Sequence, residues 1–254
     1  MVEHDNWDEH WERYTEAVSR NPAQQMRHSI IVKLLQQDAT ADAGVLDIGS
    51  GQGDLLVRLH RVLPQAKLLG FELSASGVEI SKRKLPAVKF VIADLFSPPA
   101  GLQEFKDWAT AAVCSEVLEH VDSPVDFLRA SRPYLREGAR LVVTVPGGPM
   151  SAFDRHIGHR QHFTRESISR ILGEAGFTVE RVYLSGFPFF NLYRCVVIAR
   201  GENLAGDVHA GRRGFSAWLA RVVMAVFRVL FKLNLLNSPF GWQVVAVARL
   251  RGLE

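Results

Sequence analysis

The stretch VLDIGSGQGDLL, residues 45–56, has the pattern of a buried strand, a tight turn and a helix. Apolar residues lead to Asp47 near the end of the strand, and Gly49, Gly51 and Gly53 follow before a helical pattern resumes. Glycine accepts positive φ angles and lets a ligand approach the backbone, and the helix that follows offers unpaired N–H groups at its N-terminus. The stretch therefore predicts a ligand site at the turn.

Two kinds of ligand suit such a turn. A dinucleotide fingerprint has the spacing G-x-G-x-x-G and places a diphosphate at the helix N-terminus. Here the spacing is G-x-G-x-G, and Asp47 precedes it. A carboxylate at the strand end would repel a diphosphate and attract an amino group, so the turn favours a cationic ligand. The alternative is a tight turn that binds nothing.

Two further predicted strands also end in a carboxylate. Residues 67–71 are followed by Glu72 and Leu73, and the strand in KFVIAD ends at Asp94, before Leu95. A carboxylate about twenty residues after the glycines can accept the hydroxyls of a ribose. An acid among apolar residues can bind the amine of an adenine ring. Because ligands of open parallel sheets lie beyond the carboxyl ends of the strands, we expect a nucleoside-bearing ligand there.

Strands and helices alternate along the rest of the chain, which predicts an α/β fold with a doubly wound parallel sheet. Gly138 is expected to interrupt the regular structure just before the fifth strand. The later strands are expected at residues 88–93, 109–114, 139–145, 177–184 and 242–250.

We expect one domain, in which Tyr14 or Arg27 of an N-terminal helical lid reaches the carboxylate of the ligand. The alternative for this segment is a helical cap that only packs on the core. The expected parts are the cap at 1–40, a ligand-binding core at 41–186, an apolar helical insertion at 187–240 and a closing strand at 241–254.

The composition is that of a folded globular chain, with 254 residues of which 47% are hydrophobic. The net charge of +3 is too small to argue for nucleic acid binding. Cys114 and Cys195 lie in apolar contexts and are expected to be buried thiols in a reducing compartment. The charged N-terminus lacks the apolar stretch of a secretory signal. We therefore expect a cytoplasmic protein.

Residues 215–236 form a long apolar run that contains no acid. Arg221, Arg228 and Lys232 would share one narrow face of a helix there. One hypothesis is a helix at the inner membrane face, with these cations at lipid headgroups. The alternative is packing on the sheet or in a homodimer interface, and either arrangement could wall an acceptor pocket. The side chains expected in lipid are Trp218, Leu219, Val222, Val226, Phe227 and Val229.

Four blocks of sequence together resemble the class I S-adenosylmethionine-dependent methyltransferases. They are VLDIGSGQG, LGFELS, FVIADLF and SEVLEHVDSPVDFLRASRPYLREGARLVVTVP. EVLEHV followed by GHxxxFT is similar to the ubiquinone-biosynthesis O-methyltransferases and their type-11 relatives. The resemblance implies a Rossmann-like seven-stranded sheet whose last strand is antiparallel. It also implies S-adenosylmethionine as cofactor, with Asp47, Gly49, Gly51 and Gly53 around its amino acid part, Glu72 and Leu73 at the ribose, Asp94 and Leu95 at the adenine, and Ser115 facing the methionine part.

Methyl transfer from a sulfonium is an in-line displacement, so much of the catalysis can come from alignment. An oxygen nucleophile must also lose a proton, and imidazole titrates near neutral pH. The candidate bases are His120, His156, His159 and His162, of which His159 is preferred because it lies in the loop after the fifth strand.

A divalent metal ion is the alternative to a simple base. Glu116, Glu119, His120 and His159 offer two carboxylates and two imidazoles, which could hold an ion that lowers the pKa of a bound hydroxyl. Small-RNA ribose methyltransferases and some quinone O-methyltransferases show a similar Glu-x-x-Glu-His pattern. The same residues also occur in relatives thought to work without metal.

The favoured function is O-methylation of a lipophilic or natural-product hydroxyl. A metal-assisted RNA ribose methyltransferase is a second hypothesis, against which stands the absence of a basic and aromatic tract in the sequence. A non-catalytic adenosylmethionine-binding protein is a third. A nicotinamide oxidoreductase is disfavoured by the glycine spacing.

Overall fold

The structure is a computed structural model that describes residues 7–8, 11, 19, 21–37, 43–200 and 215–252, with only the backbone described for 215–220. The predictions for Tyr14 and for the side chains of Trp218 and Leu219 lie outside the described residues.

Seven strands form one sheet in the order β3-β2-β1-β4-β5-β7-β6. The first five strands run parallel, and β7 pairs antiparallel with both β5 and β6. The predicted doubly wound sheet with an antiparallel last strand is therefore confirmed. The strands are β1 Gly44–Ile48, β2 Lys67–Glu72, β3 Lys89–Ile92, β4 Ala109–Ser115, β5 Leu135–Pro146, β6 Phe177–Ser185 and β7 Gln243–Leu250.

Helices cover both faces of the sheet, and their starts follow ordinary capping chemistry. Asn21 caps the first helix with Pro22 at its first position, and Thr164 forms a capping box with Ser167. The helices are α1 Pro22–Gln36, α2 Asp54–Val62, α3 Ala75–Lys84, α4 Pro124–Ser131, α5 Ala152–His156, α6 Arg165–Glu174, α7 Phe189–Arg200 and α8 Phe215–Leu230. Short 3₁₀ turns span Ala100–Phe105, Leu118–His120, Arg132–Tyr134 and Phe231–Leu233.

The fifth strand begins earlier than the sequence predicts. Leu135 already pairs with Ala109, and the register then shifts so that Ala111 pairs with Arg140. Gly138, at φ 71°, lies in this irregularity and does not end the element. The predicted break before residue 139 is therefore wrong, because the chain bulges within the strand.

Two other expectations are wrong. Cys195 is exposed rather than buried, because its side chain on α7 does not join the core. The apolar run of residues 215–236 is an α-helix only as far as Leu230, and a 3₁₀ turn follows.

The core has two main layers, one on each face of the sheet. A third cluster lies where α7 and α8 pack on α1, and it includes Phe227 and Phe231 with Met26 and Phe190. Phe227 is only 8% exposed. The expectation that Phe227 enters lipid is therefore wrong, because this side chain fills the contact between α8 and α1.

Candidate active site

The glycine turn adopts the backbone that its sequence predicts. Gly49, Gly51 and Gly53 have φ angles of 75°, 54° and 77°, in the left-handed region that favours glycine. The amide of Gly49 donates to the Phe71 carbonyl at 2.8 Å, which ties the turn to the end of β2. A Cβ on Gly49 would lie 2.4 Å from Val117 Cγ2. The turn therefore has no room for a side chain at this position.

Glu72 is the last residue of β2, and it holds the glycine turn in place. Its Oε2 accepts the amide of Gly51 at 2.7 Å, and its Oε1 accepts the amide of Ser74 at 2.9 Å. Burial raises the pKa of Glu72, although these amide hydrogen bonds oppose the shift. The Leu73 amide and the Trp11 side chain also donate to this carboxylate.

Asp47 lies within β1, one residue before its end, and its side chain is 2% exposed. Burial, together with the nearby Glu72, raises the pKa of Asp47 to about 7. Such a carboxyl group gains free energy when a cationic ligand arrives, because the positive charge favours its ionised form.

The residues expected to contact the nucleoside lie only partly in suitable positions. Leu95, after β3, is buried, whereas Leu73, after β2, is exposed. Asp94 is half-buried, and its Oδ1 accepts the amide of Phe96 at 2.9 Å. Asp94 therefore caps its own turn, and its second carboxylate oxygen is the one left for a ligand.

Ser115 ends β4, and Glu116 follows it beside the glycine turn. Ser115 Oγ lies 2.8 Å from Thr144 Oγ1. Glu116 has a φ of 56°, which is strained for a non-glycine residue. Its Oε1 accepts hydrogen bonds from Thr144 and Gln243, both at 3.0 Å, and its Oε2 lies 3.5 Å from Arg27 Nε. Protein groups thus engage both oxygens of Glu116, and Arg27 faces this carboxylate.

The described part of the N-terminal segment lies across the strand ends. Asp8 accepts hydrogen bonds from Ser74 Oγ at 2.5 Å and from the Ser76 amide at 2.9 Å. Trp7 meets the ring of His120 edge-on, with centroids 4.7 Å apart. A Cβ on Gly51 would lie 2.7 Å from the Trp11 ring. The described residues of this segment therefore contact the turns that follow β1, β2 and β4.

Glu119 is fully buried beside two histidines. Ligand atoms of Glu119, His120 and His159 all lie within 4.8 Å of one another. Glu119 is 0% exposed, and neither carboxylate oxygen has a hydrogen-bond partner among the described residues. Burial, and then the charge of Glu116, raise the pKa of Glu119 well above its usual value. Burying a carboxyl group without a hydrogen-bond partner costs free energy, which makes Glu119 a candidate for binding a ligand.

The loop after α5 carries a second pair of histidine contacts. His159 Nδ1 lies 3.3 Å from His162 Nε2, and His162 Nδ1 lies 3.0 Å from the Gly148 carbonyl oxygen. The rings of His120 and His159 meet edge-on at 4.8 Å. Burial, and then the charge of His120, lower the pKa of His159 to about 3, so its ring is neutral at pH 7.

A buried ion pair fixes this loop to α7. Arg194 donates to both oxygens of Asp154, at 2.9 and 2.7 Å, and Ser151 donates to the same carboxylate from its amide and its hydroxyl. Burial alone would raise the pKa of Asp154, but the hydrogen bonds from Arg194 and Ser151 outweigh it and hold the pKa well below its usual range. The insertion therefore positions the histidine loop.

The structure brings together three of the four predicted metal ligands, and Glu116 lies outside that group. His156 ends α5 and is exposed. Its ring does not belong to the group of possible ligand atoms formed by Glu119, His120 and His159. The sequence interpretation missed the roles of Asp154, Arg194 and Gln243. The spacing of Ser151 and Asp154 is a capping-box signal that could have pointed to the first of these.

Comparison with known proteins gives one family match and one curated relative. A family model described as a methyltransferase domain matches residues 18–182. An uncharacterised 37.1 kDa protein of transposon TN4556 from Streptomyces fradiae is 28% identical over 188 residues, which are 66% of this chain and 52% of that protein. The chain thus spans about half the length of this relative.

Solved structures share the fold at low sequence identity. A geranyl diphosphate C-methyltransferase from Streptomyces coelicolor A3(2), in complex with Mg²⁺, geranyl diphosphate and S-adenosylhomocysteine, has a TM-score of 0.54 at 17% identity, covering 88% of this chain and 77% of that one. A phosphoethanolamine N-methyltransferase from Haemonchus contortus, in complex with phosphomonomethylethanolamine and S-adenosylhomocysteine, has a TM-score of 0.56 at 15% identity, covering 86% and 51%.

Proposed function

The chain belongs to the methyltransferase-domain family, as its sequence predicts, and we propose that it methylates a hydroxyl group of a lipophilic small molecule with His159 as the base. Family membership supports S-adenosylmethionine as the cofactor. The cofactor supplies a methyl group on a sulfonium centre. The observation that carries the proposal is the placement of His159, half-buried and with a neutral ring, in a loop that faces the chain segment after β4.

The carboxylates at the strand ends fit the proposed cofactor. Asp47 would receive the cationic amino group, Glu72 the ribose hydroxyls and Asp94 the adenine amine. Buried Asp47 and Glu72 both have raised pKa values, so both would gain from donors or positive charge. Arg27 or Tyr14 would bind the carboxylate of the cofactor, and Ser115 would face its methionine part.

His159 would remove the proton from the acceptor oxygen. A base must be neutral before it acts, and burial keeps the pKa of His159 near 3 in the structure. The same burial weakens its affinity for a proton, and the negative charge of Asp154 partly opposes that loss. His120 packs edge-on against His159 and would hold the ring in place.

Identifying the atom that receives the methyl group tests this proposal. Similar structures include a C-methyltransferase and an N-methyltransferase, so the fold does not select the acceptor atom. Purified protein with methyl-labelled S-adenosylmethionine should convert a member of a panel of quinols, polyketide phenols and glycolipids to a labelled methyl ether. Label found only on nitrogen or carbon atoms of the panel products would overturn O-methylation.

Glu119 supports a second candidate, in which a divalent metal ion assists the transfer. A fully buried carboxyl group without a hydrogen-bond partner among the described residues, next to two imidazoles, is a donor set that fits such an ion. Glu119, His120 and His159 would hold it. The ion would lower the pKa of an acceptor hydroxyl.

Metal content separates the two candidates. If the second is right, purified protein contains one Zn²⁺ or Mg²⁺ by elemental analysis, Glu119→Gln loses it, and a chelator abolishes methyl transfer until the ion returns. Glu104→Gln, at an exposed carboxylate paired with Lys89, is the matched control and should retain the metal. Metal-free protein with full activity would remove this candidate.

The exposed face of α8 supports peripheral membrane contact. Val222, Val226, Val229 and Leu233, here called the apolar stripe, recur at helical spacing, and the last two are 61% and 63% exposed. The exposed cations Arg221, Arg228 and Lys232 occupy the neighbouring face. No helix within the described ranges is long and apolar enough to cross a bilayer. The stripe would therefore lie in the headgroup region of an anionic membrane.

Liposome flotation tests this contact. The protein should float with anionic vesicles at low salt, and high salt should weaken binding because it screens the cations. A Val226→Asp/Val229→Asp variant should stay at the bottom, whereas Val62→Asp, at an exposed valine of α2, should float normally. Wild-type protein that stays at the bottom in every condition but sediments as a dimer would assign the stripe to a homodimer interface.

A further inference from the structure

We propose that His162 and the Gly148 carbonyl hold the His159 ring in the tautomer with its proton on Nδ1, which leaves Nε2 as the atom that receives a proton. The function of this device in catalysis rests on the proposed role of His159. The tautomer itself is set by hydrogen bonds of the loop and can be measured without an acceptor.

The chain of contacts begins at Gly148. This residue has a φ of 68°, and a Cβ on it would lie 2.6 Å from Trp242 Cγ, so both conformation and space call for glycine. Its carbonyl oxygen lies 3.0 Å from His162 Nδ1. Because a carbonyl oxygen only accepts, His162 must carry a proton on Nδ1.

The second contact passes this constraint to His159. A neutral His162 with a proton on Nδ1 presents an unprotonated Nε2, which lies 3.3 Å from His159 Nδ1. His159 must then donate from Nδ1, and its own Nε2 is left without a proton. Asp154 Oδ2 is 3.8 Å from His162 Nε2, too far to compete as a hydrogen-bond acceptor.

The tautomer matters because neutral histidine in water favours the proton on Nε2. A ring in that form would present a donor where a base, or a metal ligand, needs a lone pair. His162 is therefore a positioning residue, and the pair of glycines after β5 has a function beyond the turn itself. The Arg194–Asp154 ion pair holds the start of the same loop, and the His159 amide donates to the Asp154 carbonyl at 2.9 Å.

The direct test is ¹⁵N NMR of the histidine rings, on full-length protein labelled at all nine histidines. The His159 signals are assigned from their loss in His159→Asn. In the wild type, Nδ1 of His159 should be protonated and Nε2 unprotonated. His162→Ala should shift His159 towards the Nε2-protonated form, and His162→Gln should retain the original tautomer, because its amide oxygen can accept the same hydrogen bond.

His60→Gln is the control, since this half-buried histidine lies on α2, and it should leave the His159 signals unchanged. With the acceptor found in the panel, His162→Ala should lower kcat on the order of tenfold or more with little change in KM, and His162→Gln should restore most of it. A wild-type His159 protonated on Nε2, or a tautomer that survives His162→Ala, would overturn the proposal. A correct tautomer combined with an active His159→Ala would instead refute the base and leave the tautomer assignment standing.

Discussion

The proposed cofactor end of the site, at the ends of β1, β2 and β3, contrasts with the proposed acceptor end. The acceptor end consists of residues 115–121, the loop of residues 147–163 and α7. Asp47, Glu72 and Asp94 each lie within two positions of the end of their own strand, so one local rule places all of them. At the acceptor end, Glu119, His159 and Arg194 come from three distant segments that meet only in the folded chain. The contrast teaches that a cofactor site can be encoded locally while the acceptor site depends on tertiary contacts.

The largest effect is expected on the stability of the protein when the ion pair between Arg194 and Asp154 is removed. Arg194→Met deletes both hydrogen bonds to Asp154 and leaves a buried carboxylate without its cation, which should destabilise the protein by about 3 kcal/mol. Urea unfolding at pH 7 measures it. Arg170→Met, in an exposed pair with Glu174, is the control and should cost less than about 1 kcal/mol.

The pH dependence of this effect has a definite sign. The ion pair lowers the pKa of Asp154 below its unfolded value of about 3.9, so the stabilisation is complete above that pH. It is lost as the pH falls further, and the difference between wild type and Arg194→Met should shrink there. A variant as stable as the wild type at pH 7 would show that the insertion does not fix the histidine loop.

The next effect concerns the cofactor end. Glu72→Gln keeps one acceptor oxygen but loses the charge, and it places an amide group against the amides of Gly51 or Ser74. We expect S-adenosylmethionine to bind about tenfold to a hundredfold more weakly, because a charge-assisted hydrogen bond contributes about 1.5–3 kcal/mol. Calorimetry measures the affinity. Glu79→Gln, exposed on α3, should bind normally. Equal affinities for the two variants would contradict the ribose assignment.

A smaller effect is expected when the affinity for S-adenosylmethionine is measured as a function of pH. Since the pKa of Asp47 is about 7, the carboxyl group is mostly protonated at pH 6 and must release a proton to receive a cationic amino group. Cofactor affinity should therefore rise about tenfold between pH 6 and pH 8. Glu72 also has a raised pKa, so Asp47→Asn separates the two groups. If the pH dependence persists unchanged in Asp47→Asn, it does not arise from Asp47.

The sequence predicted the sheet and the conformation of the glycine turn for a physical reason. Glycines with positive φ and acids after apolar strands are signals within a few residues of each other. The sequence did not reveal that Glu72 holds the turn, that Asp94 caps its own loop or that Leu73 is exposed. The first two outcomes depend on which neighbouring amides point at each carboxylate, and the exposure of Leu73 depends on how the chain after β2 packs.

The acceptor end was predicted only as a set of residue types. Glu119, His120 and His159 were named, but the burial of Glu119 and the contact of His159 with His162 depend on how the loop packs. Phe227 was placed on the wrong face because helical spacing gives the faces of α8 but not which of them meets α1. Hydrophobic pattern alone does not distinguish core from lipid when both faces are apolar.

The most direct test of the account is turnover by His159→Ala, measured together with cofactor affinity. With the acceptor identified from the panel, kcat should fall about a hundredfold or more, because proton removal belongs to the chemical step. The dissociation constant of S-adenosylmethionine should stay at the wild-type value, since the cofactor end is untouched. A variant that turns over at the wild-type rate would contradict the assignment of His159 and, with it, the proposed chemistry of the acceptor end.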